Sequence, residues 1–352
     1  MLKKVLSFII LCAVLLSACS PANIQNTQET LGSPGVSSAP VLPESTPALA
    51  VTPEPTPTAT PKPILFTEID FRVIKADVKS YISEEAVEGY HKLLDAVLAR
   101  EEFVQLSDDL DTNLESYGAM QNNPLYFLVE VMEFLEYPGT IRFTYAYDEA
   151  EQERMKQFIE DEYLTLLNEI IEPGMNELDK VLAVYRYFAL RISYNYNWLD
   201  ALYAAEEGWI PDIEIYEALS TNLGVCHSYT YLCEFALQQL GIECLRFIGE
   251  MTEKDETHMW LVVRIDGEYY HCDPTWDSTF GFAGLRYFGM TDAERRESGV
   301  VNFENCYDAS YVQIICDDER FSSFRDVDNF SFIGEHLIEL ETVDGTREFR
   351  TD

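Results

Sequence analysis

The 352-residue chain reads as an α+β protein: a helix carrying a cysteine packs on an antiparallel sheet carrying a histidine and an aspartate, with an α/β region ahead of them. Three observations predict this. Gly224 and Val225 lead into Cys226, which opens a helical pattern with Tyr229, Cys233, Phe235, Ala236, Leu237 and Leu240 apolar and Gly241 as the stop. Asp266-Gly267 is a two-residue hairpin signal between two alternating runs, His258–Ile265 and Glu268–Asp273. Upstream, residues 64–148 alternate between strand-like and helix-like patterns.

The cysteine falls in the first turn of its helix, among unpaired backbone N–H groups at the positive end of the helix dipole. That position favours a thiolate and supplies donors for an oxyanion. The bland alternative is a small buried core residue, the commonest fate of a free Cys. The hairpin favours the first. With Ile265 opposite Glu268, Asp273 faces Trp260 and is a diagonal neighbour of His258 on one face, at roughly 7–8 Å between backbone positions. Met259, Leu261, Val263, Ile265, Tyr270 and Cys272 take the other face as core, so His258 and Asp273 are presented together, away from it. A thiol, an imidazole and a carboxylate so placed describe a nucleophile, its base and the group that orients the base.

These motifs resemble the core of the transglutaminase-like superfamily, relatives of papain-type cysteine enzymes. The matching residues are Gly224-Val225-Cys226 with Tyr229, Leu240-Gly241-Ile242, His258 with Trp260, and Asp273-Pro274-Thr275-Trp276-Asp277. The likeness runs back through NELDKVLAVYRYFALRISYNYN (176–197) and forward to Tyr287-Phe288. The resemblance implies Cys226, His258 and Asp273 as nucleophile, base and orienter of a papain/transglutaminase-like core. Tyr194, Asn222 and Trp260 are candidate oxyanion or pocket residues. Neither metal nor other cofactor is required by this chemistry, although some family members use calcium; the acidic loops show no calcium-loop spacing. The segment His227-Ser228-Tyr229-Thr230 departs from the small residues common there, which changes the pocket. Catalysis on a protein or peptide substrate, by amine transfer or hydrolysis as in a cysteine protease or amidase, stands against a non-catalytic cell-surface binding module that inherited the triad.

Composition bounds the partners. Hydrophobic residues make up 47% of the chain, enough for a real core, and the formal charge of −38 repels nucleic acid and anionic lipid. Residues 1–18 read as a signal peptide, with two lysines, an apolar run and Leu16-Ser17-Ala18 before Cys19. The Leu-Ser-Ala-Cys ending resembles a bacterial lipoprotein box and implies a lipidated Cys19, with the protein held by that lipid alone on the extracytoplasmic face of the cell membrane. Ordinary secretion with a chance Cys is the alternative. With Cys226 a free thiol, Cys233, Cys244, Cys272, Cys306 and Cys316 remain; five is odd, so no complete disulfide framework forms within one chain, and spacing alone does not decide whether Cys306 and Cys316 pair. Zinc is a weak alternative, because His271 and Cys272 point to opposite faces of a strand and no CxxC exists.

Taken in order, residues 19–63 form a Pro/Thr/Ser-rich disordered tether. The 64–148 region opens with a strand from alternating Leu65, Thr67, Ile69, Phe71 and Val73, then a helix capped by Ser83. Residues 107–121 read as a polar loop, Asn123-Pro124 as the start of a helix to about Glu136, and Ile141 to Tyr147 as a strand. The core domain spans 149–300, with helices from Glu149 and from Asn176 separated by Pro173-Gly174. Tyr194 to Ser220 is an aromatic, acidic insertion that lines the cleft or forms an ordinary surface loop. Asp292–Ser298 reads as a short helix. Residues 301–352 are a C-terminal extension with strand-like pieces at Tyr311–Ile315 and His336–Glu341.

Overall fold

The computed structural model describes residues 62–73, 82–121, 123–135, 139–198, 215–253, 256–279, 282–305 and 314–352. It is a mixed α+β fold. The centre is an antiparallel sheet of strands β6 (Cys244–Met251), β7 (Thr257–Ile265), β8 (Glu268–Cys272) and β11 (Val300–Asn305), in the order β11-β6-β7-β8. Ile265 pairs with Glu268 and Leu261 with Cys272, the register set by the Asp-Gly turn. Asp266 and Gly267 take φ of 52° and 101°, the left-handed pair that a tight hairpin needs.

Helix α6 (Cys226–Gln239) lies on one face of this sheet, backed by α3 (Glu149–Ile170) and α4 (Glu177–Arg191). Their packing is aromatic: Tyr163 of α3 meets Phe235 of α6 edge to face at 4.8 Å and donates its hydroxyl to Leu232 O. Asn176 and Asp179 cap the start of α4 reciprocally. Leu261, Val263, Ile265, Tyr270 and Cys272 join this core, as their alternation requires.

The opposite face departs from expectation, because it is not open. Leu245, Phe247, Trp260, Val262, Val300 and Cys316 form a second apolar cluster there. The β11 strand and the segment around Cys316 supply its cover, and neither is signalled by the hairpin's own sequence. His258 and Asp273 are therefore buried at the rim of a second core.

In the N-terminal region, β1 (Phe103–Gln105), β2 (Val129–Phe134) and β3 (Thr140–Tyr145) make a sheet of order β1-β3-β2, flanked by α1 (Glu84–Leu98) and α2 (Leu110–Gln121). Three local expectations are corrected. Residues 64–73 are an extended strap rather than a strand. Asn168 Oδ1 accepts from the amides of Leu65 and Phe66, at 2.7 and 3.1 Å, and Gln239 brackets Asp70. Side chains satisfy this backbone, so alternation there reflects docking rather than pairing. The polar run 107–121 contains α2 because its contact with α1 is small and polar: Ser116 Oγ donates to Ala86 O, beside Gly89. After Asn123-Pro124 only a 3-10 turn (Tyr126–Leu128) forms before β2, whose pairing with β3 overrides the helical start signal.

Beyond the central sheet, short helix α8 (Asp292–Glu297) precedes β11. Strands β12 (Val327–Gly334), β13 (Leu337–Thr342) and β14 (Gly345–Arg350) form a meander. It buries Val327, Phe330, Ile338 and Leu340 in the same cluster as α4 and α6. The meander is tied to the first turn of α4 by Asp179, which takes His336 Nδ1 at 2.6 Å and the Thr351 hydroxyl. The strand expected at 311–315 falls partly outside the described residues, and Ile314 and Ile315 are not in a strand. Among the described residues no helix is long and apolar enough to cross a membrane.

Candidate active site

The parallel pair β4 (Ser193–Tyr194) and β5 (Leu223–Gly224) ties the end of α4 to the start of α6. Ser228 Oγ accepts from the Val225 amide at 3.2 Å, closing the first turn, and Tyr229 donates to Ile192 O at 2.5 Å. Gly224 is required by close approach: a Cβ there would lie 2.6 Å from Ser228 Cβ. Cys226 thus stands half-buried at the first position of α6, its thiol beside His258 of β7 and His227 of its own helix.

His258 Nε2 is 2.6 Å from Asp273 Oδ2, which leaves Nδ1 as the ring nitrogen free for the thiol. Asp273 ends the strand and caps helical turn α7 (Pro274–Asp277), its Oδ1 accepting from the Thr275 and Trp276 amides at 3.1 and 3.3 Å. The half-buried Trp276 stacks on the His258 ring, centroids 4.6 Å apart and planes 15° apart. The structure thus brings Cys226, His258 and Asp273 together.

The other candidates divide. Tyr194 is opposite Gly224 in the β4–β5 pair, two residues ahead of Cys226, with its ring against Tyr196. Asn222 is exposed in a left-handed turn, φ 56°, where its Oδ1 accepts from Arg191 Nε at 2.8 Å. Trp260 does not line a pocket: it is fully buried in the second cluster, behind His258. Of the aromatic insertion, Trp198 meets His227 at 5.8 Å and α5 (Ile215–Thr221) is packed, whereas 199–214, with Trp209 and Pro211, lie outside the described residues. So do Cys19, the signal segment and Cys306; Cys226, Cys233, Cys244, Cys272 and Cys316 are free thiols.

Residues 164–274 match the sequence model of the transglutaminase-like superfamily. This chain carries a transglutaminase-like domain. Two solved structures are similar. One is a TGase, at 13% identity and TM-score 0.31, covering 42% of this chain and 44% of its own. The other is a candidate cysteine protease from Cytophaga hutchinsonii, at 14% identity and TM-score 0.28, covering 52% of this chain and 69% of its own. The chain spans less than half the length of that TGase. No curated protein matches it.

Within the transglutaminase-like domain the electrostatics follow from burial and pairing. Burial pushes the Cys226 thiol up, but hydrogen bonding and charge from His227 and His258 overcome it and bring it down to about 5. Burial pulls His258 down, and Asp273 with Cys226 raises it to about 9. Burial disfavours the Asp273 carboxylate, yet His258 and Arg295 hold its pKa below the ordinary value. The opposite shifts favour a thiolate–imidazolium pair, whose two titrations belong to the pair rather than to either residue.

Sequence reasoning assigned no role to three partners. His227 was seen only as a departure in the motif, and its proximity to the sulfur follows from its place next to Cys226. Arg295 sits in a charged run, Glu294-Arg295-Arg296-Glu297, indistinguishable from a solvated helix face. Asp277 carries no sign of burial, yet it accepts from the Tyr185 hydroxyl at 2.5 Å and the Tyr287 amide at 3.0 Å. Burial raises its pKa to about 7.

One donor cluster has the composition of a metal site: His271, Asp292 and Cys316, with ligand atoms within 4.8 Å of one another. Its hydrogen bonding opposes that use. The indole N–H of Trp260 donates to His271 Nδ1 at 2.8 Å, so the ring proton is on Nε2, facing Asp292 Oδ1 at 2.9 Å. A metal on Nε2 would need that proton moved to Nδ1, against the indole N–H. The residues do not fit a metal.

Proposed function

We propose that this chain is a thiol enzyme that forms an acyl-enzyme at Cys226 on peptide or amide substrates. The observation that carries the reading is the half-buried Cys226 at the start of α6, beside a histidine whose far nitrogen is bound by a buried aspartate. Cys226 Sγ attacks the amide carbonyl, forming a C–S bond and moving the carbonyl electrons onto oxygen. The Cys226 backbone N–H donates to that oxyanion, and Tyr194, paired with Gly224 just ahead of Cys226, is the candidate for a second contact. Collapse breaks the C–N bond as His258 Nδ1 protonates the leaving amine. A second amine or water then attacks the thioester, gives its proton to His258, and releases Cys226. Asp273 orients the ring and balances the imidazolium throughout.

Amine transfer is favoured over hydrolysis by the acidic surface, which draws Lys-bearing acceptors in dilute salt. The signal-like leader and Cys19 make the enzyme a lipid-anchored protein of the extracytoplasmic face. Labelled fatty acid is expected to mark the wild-type chain and not Cys19→Ala. Function is tested by incubating the protein with Gln-containing and general peptide pools, with and without a fluorescent primary amine, and reading products by mass spectrometry. Adducts absent from Cys226→Ala establish a transferase, and Cys226-dependent backbone cuts alone establish a peptidase. Products indifferent to Cys226, or none across broad pools, favour the non-catalytic binding module.

A further inference from the structure

We propose that Arg295 is a positioning residue of this site, its guanidinium clamped between Trp260 and Trp276 and fixing the Asp273 carboxylate against His258 Nε2. The inference rests on the reading of Cys226 as a nucleophile.

Arg295 projects from α8 and is 0% exposed. Its Nη2 is 2.9 Å from Asp273 Oδ2, the same oxygen that His258 Nε2 meets at 2.6 Å. The other oxygen is held by the Thr275 and Trp276 amides. The carboxylate therefore cannot turn without breaking a contact on either side. The guanidinium carbon stands 4.1 Å from the Trp260 ring centroid and 4.4 Å from that of Trp276, and the Trp276 indole also stacks on His258. One aromatic slab thus registers the arginine and the histidine to each other.

Stability alone is a poor account of this arrangement. A buried ion pair contributes little over apolar residues of the same volume. Here Nε and Nη1 of Arg295 also lack hydrogen-bond partners among the described residues, their desolvation offset mainly by the two indole faces. Charge balance in the active form gives the arginine a role. Thiolate, imidazolium and Asp273 carboxylate together carry one net negative charge in a poorly hydrated place. The guanidinium brings the set to zero, so the thiolate forms without an uncompensated buried charge.

Other groups face the set: His227 from α6, Asp277 from α7, Tyr185 from α4, Tyr287 from the loop after the paired strands β9 (Ser278–Thr279) and β10 (Phe282–Ala283), and Arg325 beside Asp277. All are unchanged in an Arg295 variant, so a comparison at fixed pH isolates the arginine.

The test needs no substrate. Iodoacetamide alkylation of Cys226 in the full chain, followed by peptide mapping, gives the thiolate titration; isotope-labelled histidine NMR follows His258 among the five histidines. Arg295→Met is expected to move the acid limb of alkylation to higher pH by about one unit, about a fivefold slower reaction at pH 5 that approaches tenfold at lower pH, and to carry the His258 titration upward with it. Arg295→Lys, which keeps the charge and loses the stacked plane, is expected to fall between. A folded Arg295→Met with both titrations unmoved overturns the proposal. Should Arg295→Met fail to fold, the neutral pair Arg295→Met/Asp273→Asn is compared with Asp273→Asn alone. Action through Asp273 predicts little further change in the alkylation limb, and a full additional shift overturns the proposal. Failure of the nucleophile reading looks different, as a wild-type thiol that titrates at its ordinary value.

Discussion

At the residue scale, the site is defined by which buried charges find partners. Asp273 has four donors around two oxygens and stays ionised. Asp277, four residues on, accepts from the Tyr185 hydroxyl and the Tyr287 amide, and burial raises its pKa to about 7. The sign of its effect on stability follows. Below about pH 4 the group is protonated in both the folded and unfolded chain and costs nothing. As pH rises toward 7 the unfolded chain releases the proton while the folded one keeps it, so stability falls across that window and is level above it. Three pH units set an upper limit of about 4 kcal/mol. Asp277→Asn keeps an acceptor for Tyr185 and the Tyr287 amide and cannot ionise. Its melting temperature relative to wild type is expected to be higher at pH 7.5 than at pH 4, by several degrees; a difference independent of pH would contradict the assignment.

At the scale of elements, Cys226 is positioned by the turn that starts α6. Gly224 leaves room for Ser228, which holds the Val225 amide, and β4 fixes β5 from the side. Gly224→Ala is expected to push this turn outward, because the added methyl would meet Ser228 Cβ at 2.6 Å and Ile192 Cγ2 at 3.2 Å. The core of α6 is far from the change, so helix content by circular dichroism should persist. Iodoacetamide alkylation of Cys226 at pH 7 is expected to slow about tenfold, the loss that misplacement of a reacting group by a fraction of an ångström brings. Unaltered alkylation would show that the turn tolerates the methyl and that thiol placement does not depend on it.

For the molecule as a whole, one apolar cluster reaches from Ile69 through α3, α4 and α6 to Leu340 of β13. The strap at 64–73 and the meander at 327–350 both close on the helices behind Cys226, through Asn168, Gln239 and Asp179. Continuous cores of this kind unfold together. Calorimetry is therefore expected to show a single transition for the folded part, and deletion of 327–352 to lower the melting temperature by ten degrees or more while abolishing the depressed thiol titration. Two well-separated transitions, or a truncated chain with an intact Cys226 titration, would mean that the regions are independent.

The sequence by itself determined the hairpin, the cysteine helix and their register, because each rests on local chemistry: Asp-Gly supplies the left-handed turn, a period of two separates the faces, and a period near 3.6 buries one side of α6. It also identified the three side chains that meet. It misread the strap at 64–73, the helix at 110–121 and the segment after Pro124, where neighbours rather than local pattern decide the conformation. Tertiary structure alone decided that the His258 face is covered, that Trp260 is core, and that Arg295 and Asp277 are buried beside Asp273. Burial of a charge leaves no mark in composition or periodicity, since Arg295 and its neighbour Arg296 are the same letter in the same helix. Only the packing of α8 against two tryptophans makes one of them part of the site.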